Sequence, residues 1–221
     1  TLKTGAELIA DAPEVQAALS GENNENALRS YIRAKAEVLD MEAFAVLNKS
    51  GVVVPGGESN LTAGKNFVSI KGVARALNGT ASLSFQAIDK IPFAAIAANP
   101  VKINGSIEGC IITIYDLTTD DFTNLMKKGY DVECTIFNGN TRVASTISGV
   151  VGTTLDNQEI VTKVLNNGDL FEGTNVIAGK NYYSVYQPLI NADGYKAGML
   201  FIAKSAEAMR SDSFAKPDCR A

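Results

Sequence analysis

The chain repeats itself at a spacing close to ninety residues, and this internal repeat restricts the folds available to it. Residues 46–48, Val-Leu-Asn, correspond to residues 136–138, Ile-Phe-Asn. Residues 73–79 correspond to residues 161–168, since both segments start with Val and end in Leu-Asn followed by Gly or Asn-Gly. The order of the matches is the same in both halves. Two copies of one supersecondary unit therefore lie in tandem, too long and too few for a solenoid.

Composition excludes several classes of function. The 221 residues, 46% of them hydrophobic, suffice for a core in each of two small domains. With 20 basic and 24 acidic residues and no basic cluster, the chain is not expected to bind nucleic acid. It has no histidine, and its three cysteines lack CxxC spacing. We therefore expect no catalytic residue, no metal site and no cofactor. We expect that the protein is not an enzyme.

The N-terminal part is predicted to be helical. Apolar residues recur at threes and fours over residues 4–39, with breaks expected near Pro13 and after Ser20. This helix lies outside the repeat. The first copy then begins with two short strands and continues into a helix over residues 67–78, closed by Asn-Gly.

Two long antiparallel hairpins follow in the first copy. Two-residue turns at Asp89-Lys90 and at Asn104-Gly105 would set their register. This register pairs Ala95 with both Ser84 and Ile114. It predicts one small and polar sheet face made of Ser82, Ser84, Gln86, Phe93, Ala95, Ala97, Asn99, Ile112, Ile114 and Asp116.

The second copy is predicted to repeat this plan after a connecting helix at residues 118–129. Its strands and helix are expected at residues 132–138, 141–147, 157–166 (helix), 170–178, 181–190 and 195–204. Alternation along the fourth strand of this copy places Tyr182, Ser184 and Tyr186 on one face and Tyr183 on the other.

The second copy also carries a family resemblance. Its most specific stretches are Tyr-Asp-Val-Glu-Cys-Thr-Ile-Phe at residues 130–137, Thr-Arg-Val-Ala-Ser-Thr at 141–146, and Tyr-Ser-Val-Tyr-Gln-Pro-Leu-Ile-Asn-Ala-Asp-Gly-Tyr-Lys-Ala-Gly-Met-Leu-Phe-Ile at 183–202. They resemble the second module of the double Cache ectodomain of bacterial methyl-accepting chemotaxis proteins. The resemblance implies an α+β fold, with a long N-terminal helix and two tandem PAS-like Cache modules, each a five-stranded antiparallel sheet with flanking helices.

The same resemblance implies a domain organisation. The expected parts are a long N-terminal helix (1–40), a membrane-distal Cache module (41–117), a connecting helix with the membrane-proximal module (118–205), and a tail towards a second membrane helix (206–221). Because the chain begins with Thr-Leu-Lys rather than Met, we expect it to be a fragment of a longer protein. The resemblance implies that this protein is a receptor in the cell membrane and that the fragment is extracytoplasmic, either periplasmic or extracellular. A homodimer through the N-terminal helix is expected.

The resemblance places a small-molecule ligand, such as an amino acid or amine, in the membrane-distal module. The candidate ligand-binding residues are Ser82, Ser84, Gln86, Phe93, Ala95, Asn99 and Asp116. Gln86 and Asp116 would orient an amine or amide. The alternatives are that these residues are structural, and that Asp116 caps the connecting helix. The chain has no tryptophan and so departs from the Arg-x-Trp-Tyr pattern of amino-acid-binding Cache domains.

Arg142 and Tyr183 are the candidate ligand-binding residues in the second module, where Arg142 would bind an anion. The alternative is that both residues serve only in ordinary packing and solvation.

The expected function is ligand sensing and signalling across the membrane. Alternatives are the sensor domain of a histidine kinase or cyclic-nucleotide enzyme, and a module that senses indirectly through a partner such as a solute-binding protein.

Overall fold

The computed structural model describes residues 9–22, 24–39, 43–177, 179–207 and 209. The first part of the predicted N-terminal helix and nearly all of the predicted tail lie outside these residues. The described chain divides into two compact units. The first unit contains the described residues up to Asp116 together with Asn191–Tyr195, and the second contains Leu117–Ile190 and the described residues from Lys196 onward.

The first unit has three helices and five strands. They are α1 (Pro13–Leu19), α2 (Glu25–Leu39), β1 (Ala43–Asn48), β2 (Val53–Ser59), α3 (Lys71–Leu77), β3 (Ser82–Ile88), β4 (Ile91–Ile103) and β5 (Ser106–Asp116). The strands form one antiparallel sheet in the order β2-β1-β5-β4-β3.

The second unit repeats this sheet. Its elements are α4 (Asp121–Tyr130), β6 (Glu133–Asn138), β7 (Thr141–Ser145), α5 (Gln158–Val161) with a π-helical continuation (Thr162–Asn167), β8 (Phe171–Ile177), β9 (Lys180–Ile190) and β10 (Lys196–Ser205). The order β7-β6-β10-β9-β8 is that of the first sheet. The sequence repeat therefore corresponds to a repeated strand topology, and the prediction of two five-stranded antiparallel sheets is confirmed.

The N-terminal breaks lie where the sequence predicts them. Pro13 occupies the first turn of α1, where its missing N–H costs no hydrogen bond. The chain leaves α1 at Ser20, and α2 starts after Asn24, whose side chain accepts a hydrogen bond from the Ala27 N–H (3.2 Å). Leu28 and Ile32 of α2 are fully buried against one face of the first sheet.

The opposite face of the first sheet is covered by α3 and the segment before it. Ile70, Val73 and Ala76 pack on small and β-branched strand residues such as Ile96 and Ile112. Every residue named here is at most 3% exposed, so this side of the first unit is a filled apolar core.

Both predicted hairpin turns are present, but the predicted register of the hairpins is wrong by one residue. Ile88 pairs with Ile91 around the first turn, yet Gln86 pairs with Ala94, so β4 contains one extra residue opposite β3. That stretch includes Pro92, which has no N–H to donate to the ladder. A second irregularity near Glu108 shifts β5 against β4 by one residue.

The register shift splits the predicted polar face. Ser84, Ile96 and Ile114 form one cross-strand row, and Gln86, Ala94 and Asp116 form the next. These rows, with Ser82 and Ile112, belong to the face beneath α3. The other predicted members, Phe93, Ala95, Ala97 and Asn99, alternate with them and therefore lie on the opposite face.

Asp89 holds the loop that precedes α3 through two hydrogen bonds and one ion pair. Asp89, in the turn between β3 and β4, accepts hydrogen bonds from the N–H (3.2 Å) and the hydroxyl (3.0 Å) of Thr62. Its other oxygen pairs with Lys65 Nζ at 2.6 Å. The bonds from Lys65 and then from Thr62 lower the pKa of Asp89 below its ordinary value of 3.8.

These contacts of Asp89 predict a pH-dependent difference in melting temperature between the wild type and Asp89→Asn. A carboxylate whose pKa is lowered by folding adds stability above its ordinary pKa and loses that contribution as the pH falls through its folded value. We expect the wild type to have a higher melting temperature than Asp89→Asn at neutral pH. This difference in melting temperature should disappear as the pH falls below about 3.8. Melting curves of both proteins from neutral pH into this range measure it. A difference in melting temperature that stays constant with pH would show that the Asp89 charge does not contribute to stability.

Candidate functional site

A row of side chains crosses all five strands of the second sheet on the face beneath α5. The pairing aligns Ser145, Thr135, Phe201, Tyr186 and Phe171, in that spatial order. Thr135 and Ser145 share a hydrogen bond between their hydroxyl oxygens at 2.7 Å. The row is therefore polar at the β7 end and aromatic towards β8.

Tyr186 lies at the centre of an aromatic cluster. Its ring centroid is 4.9 Å from that of Phe201, 6.0 Å from that of Phe171 and 6.2 Å from that of Phe137. Only 1% of Tyr186 is exposed, and burial raises its pKa to about 12, so the phenol is neutral. Within the described part of the chain, its hydroxyl has no hydrogen-bond partner.

Arg142 lies beside this cluster because of a local irregularity in β7. The register shifts between Ile136 and Phe137, which places Arg142 directly opposite Phe137. The guanidinium carbon is 5.2 Å from the centre of the Phe137 ring, a cation–π distance. Burial lowers the pKa of Arg142 from 12.5, but an arginine remains charged at any physiological pH.

The Arg142 side chain uses only part of its donor capacity. Its Nη1 atom donates to the Thr153 hydroxyl at 2.9 Å and to the Thr154 carbonyl at 2.7 Å. Among the described residues it forms no salt bridge, and its Nε and Nη2 atoms donate to no protein group. A half-buried cation is thus left with an unused two-nitrogen edge.

A loop between β7 and α5 covers the arginine. The Arg142 N–H donates to the Thr153 carbonyl (2.9 Å), and the Gly152 N–H donates to the Arg142 carbonyl (2.8 Å). The loop ends at Asn157, whose side chain caps α5 by accepting from the N–H groups of Glu159 and Ile160. Arg142 therefore holds this loop through both its main chain and its side chain.

These residues enclose a narrow gap between the second sheet and its covering loop. No part of the gap is wide enough for a water molecule. Its lining residues are Thr135, Phe137, Arg142, Ile147, Ile177, Tyr186 and Phe201. The lining combines one cation and two hydroxyl groups with apolar walls, a combination that suits a small anion.

The first-unit candidates are not arranged around an open site in this way. Ser82 donates to the Gly72 carbonyl of α3 at 2.8 Å, and Ser84 is 2% exposed. A Cβ on Gly72 would overlap the Ser84 hydroxyl, so α3 lies directly on β3. Phe93, Ala95 and Asn99 are buried on the opposite face. The seven predicted residues therefore do not share one surface.

Asp116 does not cap the connecting helix. The helix α4 begins at Asp121, and Asp120 occupies the N-cap position. The predicted start at residue 118 was therefore early, and the alternative role considered for Asp116 is wrong.

Tyr183 lies away from the gap. It is 51% exposed and occupies the outer face of the second sheet, as strand alternation predicts. There it lines an open groove of about 440 Å³ together with Val185, Ile202 and Lys204. Of the two second-copy candidates, only Arg142 belongs to the enclosed gap.

Tyr186 and Thr135 are the polar gap residues that sequence reasoning missed. The sequence places Tyr186 on the same face as Tyr182 and Ser184, and the structure shows that this face is buried. Alternation along β9 was therefore informative. It could not show that Arg142 of β7 and Tyr186 of β9 line one gap, because two strands, β6 and β10, lie between β7 and β9 in the sheet.

Removing the Tyr186 hydroxyl should leave the stability of the ligand-free protein almost unchanged. The hydroxyl forms no hydrogen bond to a described residue and is not a fully buried unsatisfied atom, so we expect Tyr186→Phe to change the free energy of unfolding by less than about 0.5 kcal/mol. Urea denaturation followed by circular dichroism measures this. Tyr183→Phe, at an exposed position, is the matched control and should change little. A clear loss of stability in Tyr186→Phe would show that the hydroxyl is satisfied in solution.

In the described ranges, no three His, Cys, Asp or Glu side chains come together as ligands of a metal ion. Cys110 and Cys134 are buried, and burial raises the pKa of each thiol to about 12. These two thiols therefore remain protonated and poorly reactive.

One family model matches the chain. Residues 112–213, slightly less than half of the sequence, match single cache domain 3. The match contains the whole second sheet and the gap, and it supports one Cache module in this part of the chain. A search of curated proteins finds no relative that matches this sequence.

Solved structures with a similar fold include a sensor domain and ligand-binding parts of receptors. The sensor domain of the V. cholerae histidine kinase DctB aligns at a TM-score of 0.60 and 15% identity, covering 92% of this chain and 88% of that chain. The ligand-binding domain of the Campylobacter jejuni chemoreceptor Tlp3 in complex with 4-methylisoleucine aligns at 0.62 and 15% identity, covering 100% and 84%. An extracellular ligand binding receptor from Desulfohalobium retbaense aligns at 0.57 and 14% identity, covering 91% of this chain and 36% of that one.

None of the described helices is both long enough and apolar enough to cross a bilayer.

Proposed function

We propose that the chain is the extracytoplasmic sensor domain of a transmembrane chemoreceptor, built from two tandem Cache modules. The family match over residues 112–213 supports the second module. The first sheet has the same strand order as the second, which supports its assignment as a diverged copy. The similar fold of the Tlp3 ligand-binding domain supports a receptor role. The proposal assigns no catalytic step and no cofactor to the chain.

The ligand is a small metabolite, and we place its site in the gap beside Arg142. One observation carries this placement: a half-buried guanidinium that forms no salt bridge within 4 Å among the described residues lines the same gap as a phenol that forms no hydrogen bond to a described residue. Donors that no described protein group uses are available to a ligand. The first-unit face predicted from sequence is less favourable, because α3 packs directly on Ser82 and Ser84.

Signalling requires the ligand to prefer one of two conformations. A ligand with equal affinity for both cannot shift their populations. In the second unit the loop between β7 and α5 is the element that a ligand would bias, because Arg142 bonds to Thr153 and Thr154 within it. The receptor would sit in the cell membrane and present this domain outside the cytoplasm.

A thermal-shift screen tests the proposed function. Specific binding to the native state raises the free energy of unfolding by RT ln(1 + [L]/Kd) and so raises the melting temperature. We would screen amino acids, organic acids, amines and purines after native mass spectrometry has shown the protein to be free of carried-over ligand. A hit is expected from at least one class. Absence of any hit from a ligand-free protein would contradict direct sensing and favour an indirect sensor that contacts a solute-binding protein.

A second candidate is the sensor domain of a histidine kinase, favoured by the similar fold of the DctB sensor domain. A cyclic-nucleotide enzyme is a further output of the same type. The test is a fusion of this chain to the transmembrane and kinase parts of a characterised histidine kinase. Kinase activity that responds to the ligand would support the histidine kinase output. Kinase activity that does not respond would support the chemoreceptor output.

Dimerisation through the N-terminal helical region is also a proposal. Val38 near the end of α2 is 78% exposed, whereas Leu28 and Ile32 are buried in the first unit. The exposed face of α2 is therefore available to a second copy. Light scattering over a range of protein concentrations tests the dimer, and a monomeric mass throughout would count against it.

A further inference from the structure

We propose that the gap beside Arg142 binds the carboxylate of a short monocarboxylic acid with an uncharged tail. This inference rests on the proposed function and specifies the chemistry of its ligand. The carboxylate pairs with the Nε and Nη2 atoms of Arg142 and accepts a hydrogen bond from the Tyr186 hydroxyl, while the tail lies against the aromatic rings.

The donor set determines the choice of an anion. Arg142 keeps its Nη1 atom on Thr153 and Thr154, which leaves the Nε and Nη2 edge for a ligand. That edge matches the two oxygens of a carboxylate. Tyr186 is a neutral phenol with a hydrogen to donate, and it lines the same gap. Both groups therefore present donors to one small volume.

The remaining lining residues determine the rest of the ligand. None of the seven described residues that line the gap is acidic, so the gap offers no partner for the ammonium group of an amino acid. Arg142 is the only cation among those seven, so a second carboxylate would be left unpaired. A buried charge without a partner is strongly unfavourable. The gap therefore selects against both amino acids and dicarboxylic acids.

The size of the gap restricts the length of the ligand. No part of it is wide enough even for a water molecule, so only a short ligand could enter with a small displacement of its walls. Phe137, Phe201 and Ile147 form apolar walls that suit a short hydrocarbon tail. Since the gap is now too narrow for water, a ligand must displace the covering loop. Arg142 holds that loop at Thr153 and Thr154, so an anion on the guanidinium would act on the loop directly.

Calorimetric titration with four related probes tests this inference. We expect propionate to bind. Propionamide lacks the charge, L-alanine adds an ammonium group and succinate adds a second carboxylate, so each of the three should bind at least about tenfold more weakly. Equal binding of propionamide and propionate would overturn the inference.

Substitutions locate the binding. Arg142→Met should weaken propionate about 10- to 100-fold, and Tyr186→Phe about tenfold, because each removes hydrogen bonds to a charged group. Arg142→Lys keeps the charge without the two-nitrogen edge and remains informative if Arg142→Met folds poorly. The matched controls are Arg75→Met on an exposed part of α3 and Tyr183→Phe. Unchanged propionate affinity in both Arg142 variants would overturn the inference.

The outcomes separate this inference from the proposed function. If an amino acid or amine binds with an affinity that Arg142 does not affect, the carboxylate site is wrong and the sensor function stands. If no compound of the full screen binds to a ligand-free protein, the direct-sensor function fails as well.

Discussion

Gly198→Ala is expected to destabilise the second unit more than any other single-methyl change in the described sheet. A Cβ at Gly198 would overlap the carbonyl oxygen of Phe137 on the adjacent strand β6. Neither atom belongs to a flexible side chain, so the two central strands would have to separate. We expect a loss of about 3 kcal/mol, at the upper end for overpacking.

Chemical denaturation of Gly198→Ala, monitored by circular dichroism, measures this loss. Gly129→Ala is the matched control, because Gly129 lies in α4 and a Cβ there meets nothing within 4 Å. That substitution should stabilise by about 0.5 kcal/mol, since alanine favours a helix over glycine. Equal stabilities of the two variants would contradict the described strand spacing.

Gly109 provides an independent copy of the same prediction. It occupies the equivalent position of the first sheet, where a Cβ would overlap the Leu47 carbonyl oxygen on β1. The two glycines correspond in the sequence repeat, 89 positions apart. A similar loss in Gly109→Ala would show that the repeat preserves a close backbone approach in each sheet.

Phe201→Ala is expected to produce the second large effect. Phe201 is 1% exposed, and its ring lies 4.9 Å from the ring of Tyr186. Truncation removes a buried aromatic side chain and leaves a cavity beside the candidate site. Substitutions of this kind cost about 4 kcal/mol.

The measurement is again the free energy of unfolding, with Leu200→Ala as control. Leu200 is the neighbouring residue on β10, is only partly buried and lies on the opposite face of the sheet, so its truncation should cost about 1 kcal/mol. If Phe201→Ala cost no more than Leu200→Ala, the aromatic cluster would not be the core of the second unit.

Much of the fold could be predicted from the sequence because its signals are local. The Asn104-Gly105 turn has the positive φ angles that this dipeptide favours, and it connects β4 and β5 as expected. The repeat then transfers the strand plan of one copy to the other. The double Cache assignment itself goes further than these signals and remains a proposal.

The register could not be predicted in the same way. Counting outward from a turn assumes an unbroken ladder, and one extra residue moves every later side chain to a different partner. Pro92 gave a local signal of such an irregularity, but Glu108 gave none. The predicted ligand face depended on this count, and its residues therefore divide between two faces of the sheet.

The candidate site was predictable only in part. Arg142 could be proposed from its charge within a strand. Its position over Phe137 depends on a register shift in β7, and its proximity to Tyr186 depends on pairing between strands distant in sequence. The donor that each of these side chains leaves unused becomes evident only when the packing around both is known.

Hydrogen exchange tests the location of the ligand site most directly. The exchange of the purified chain would be compared with and without a saturating amount of the compound that gives the largest thermal shift. We expect slower exchange over residues 141–157 and in α5, where the loop held by Arg142 covers the gap. We expect no change in β3 or α3. Slower exchange confined to β3, α3 and residues 61–70 would contradict it and return the ligand to the first unit.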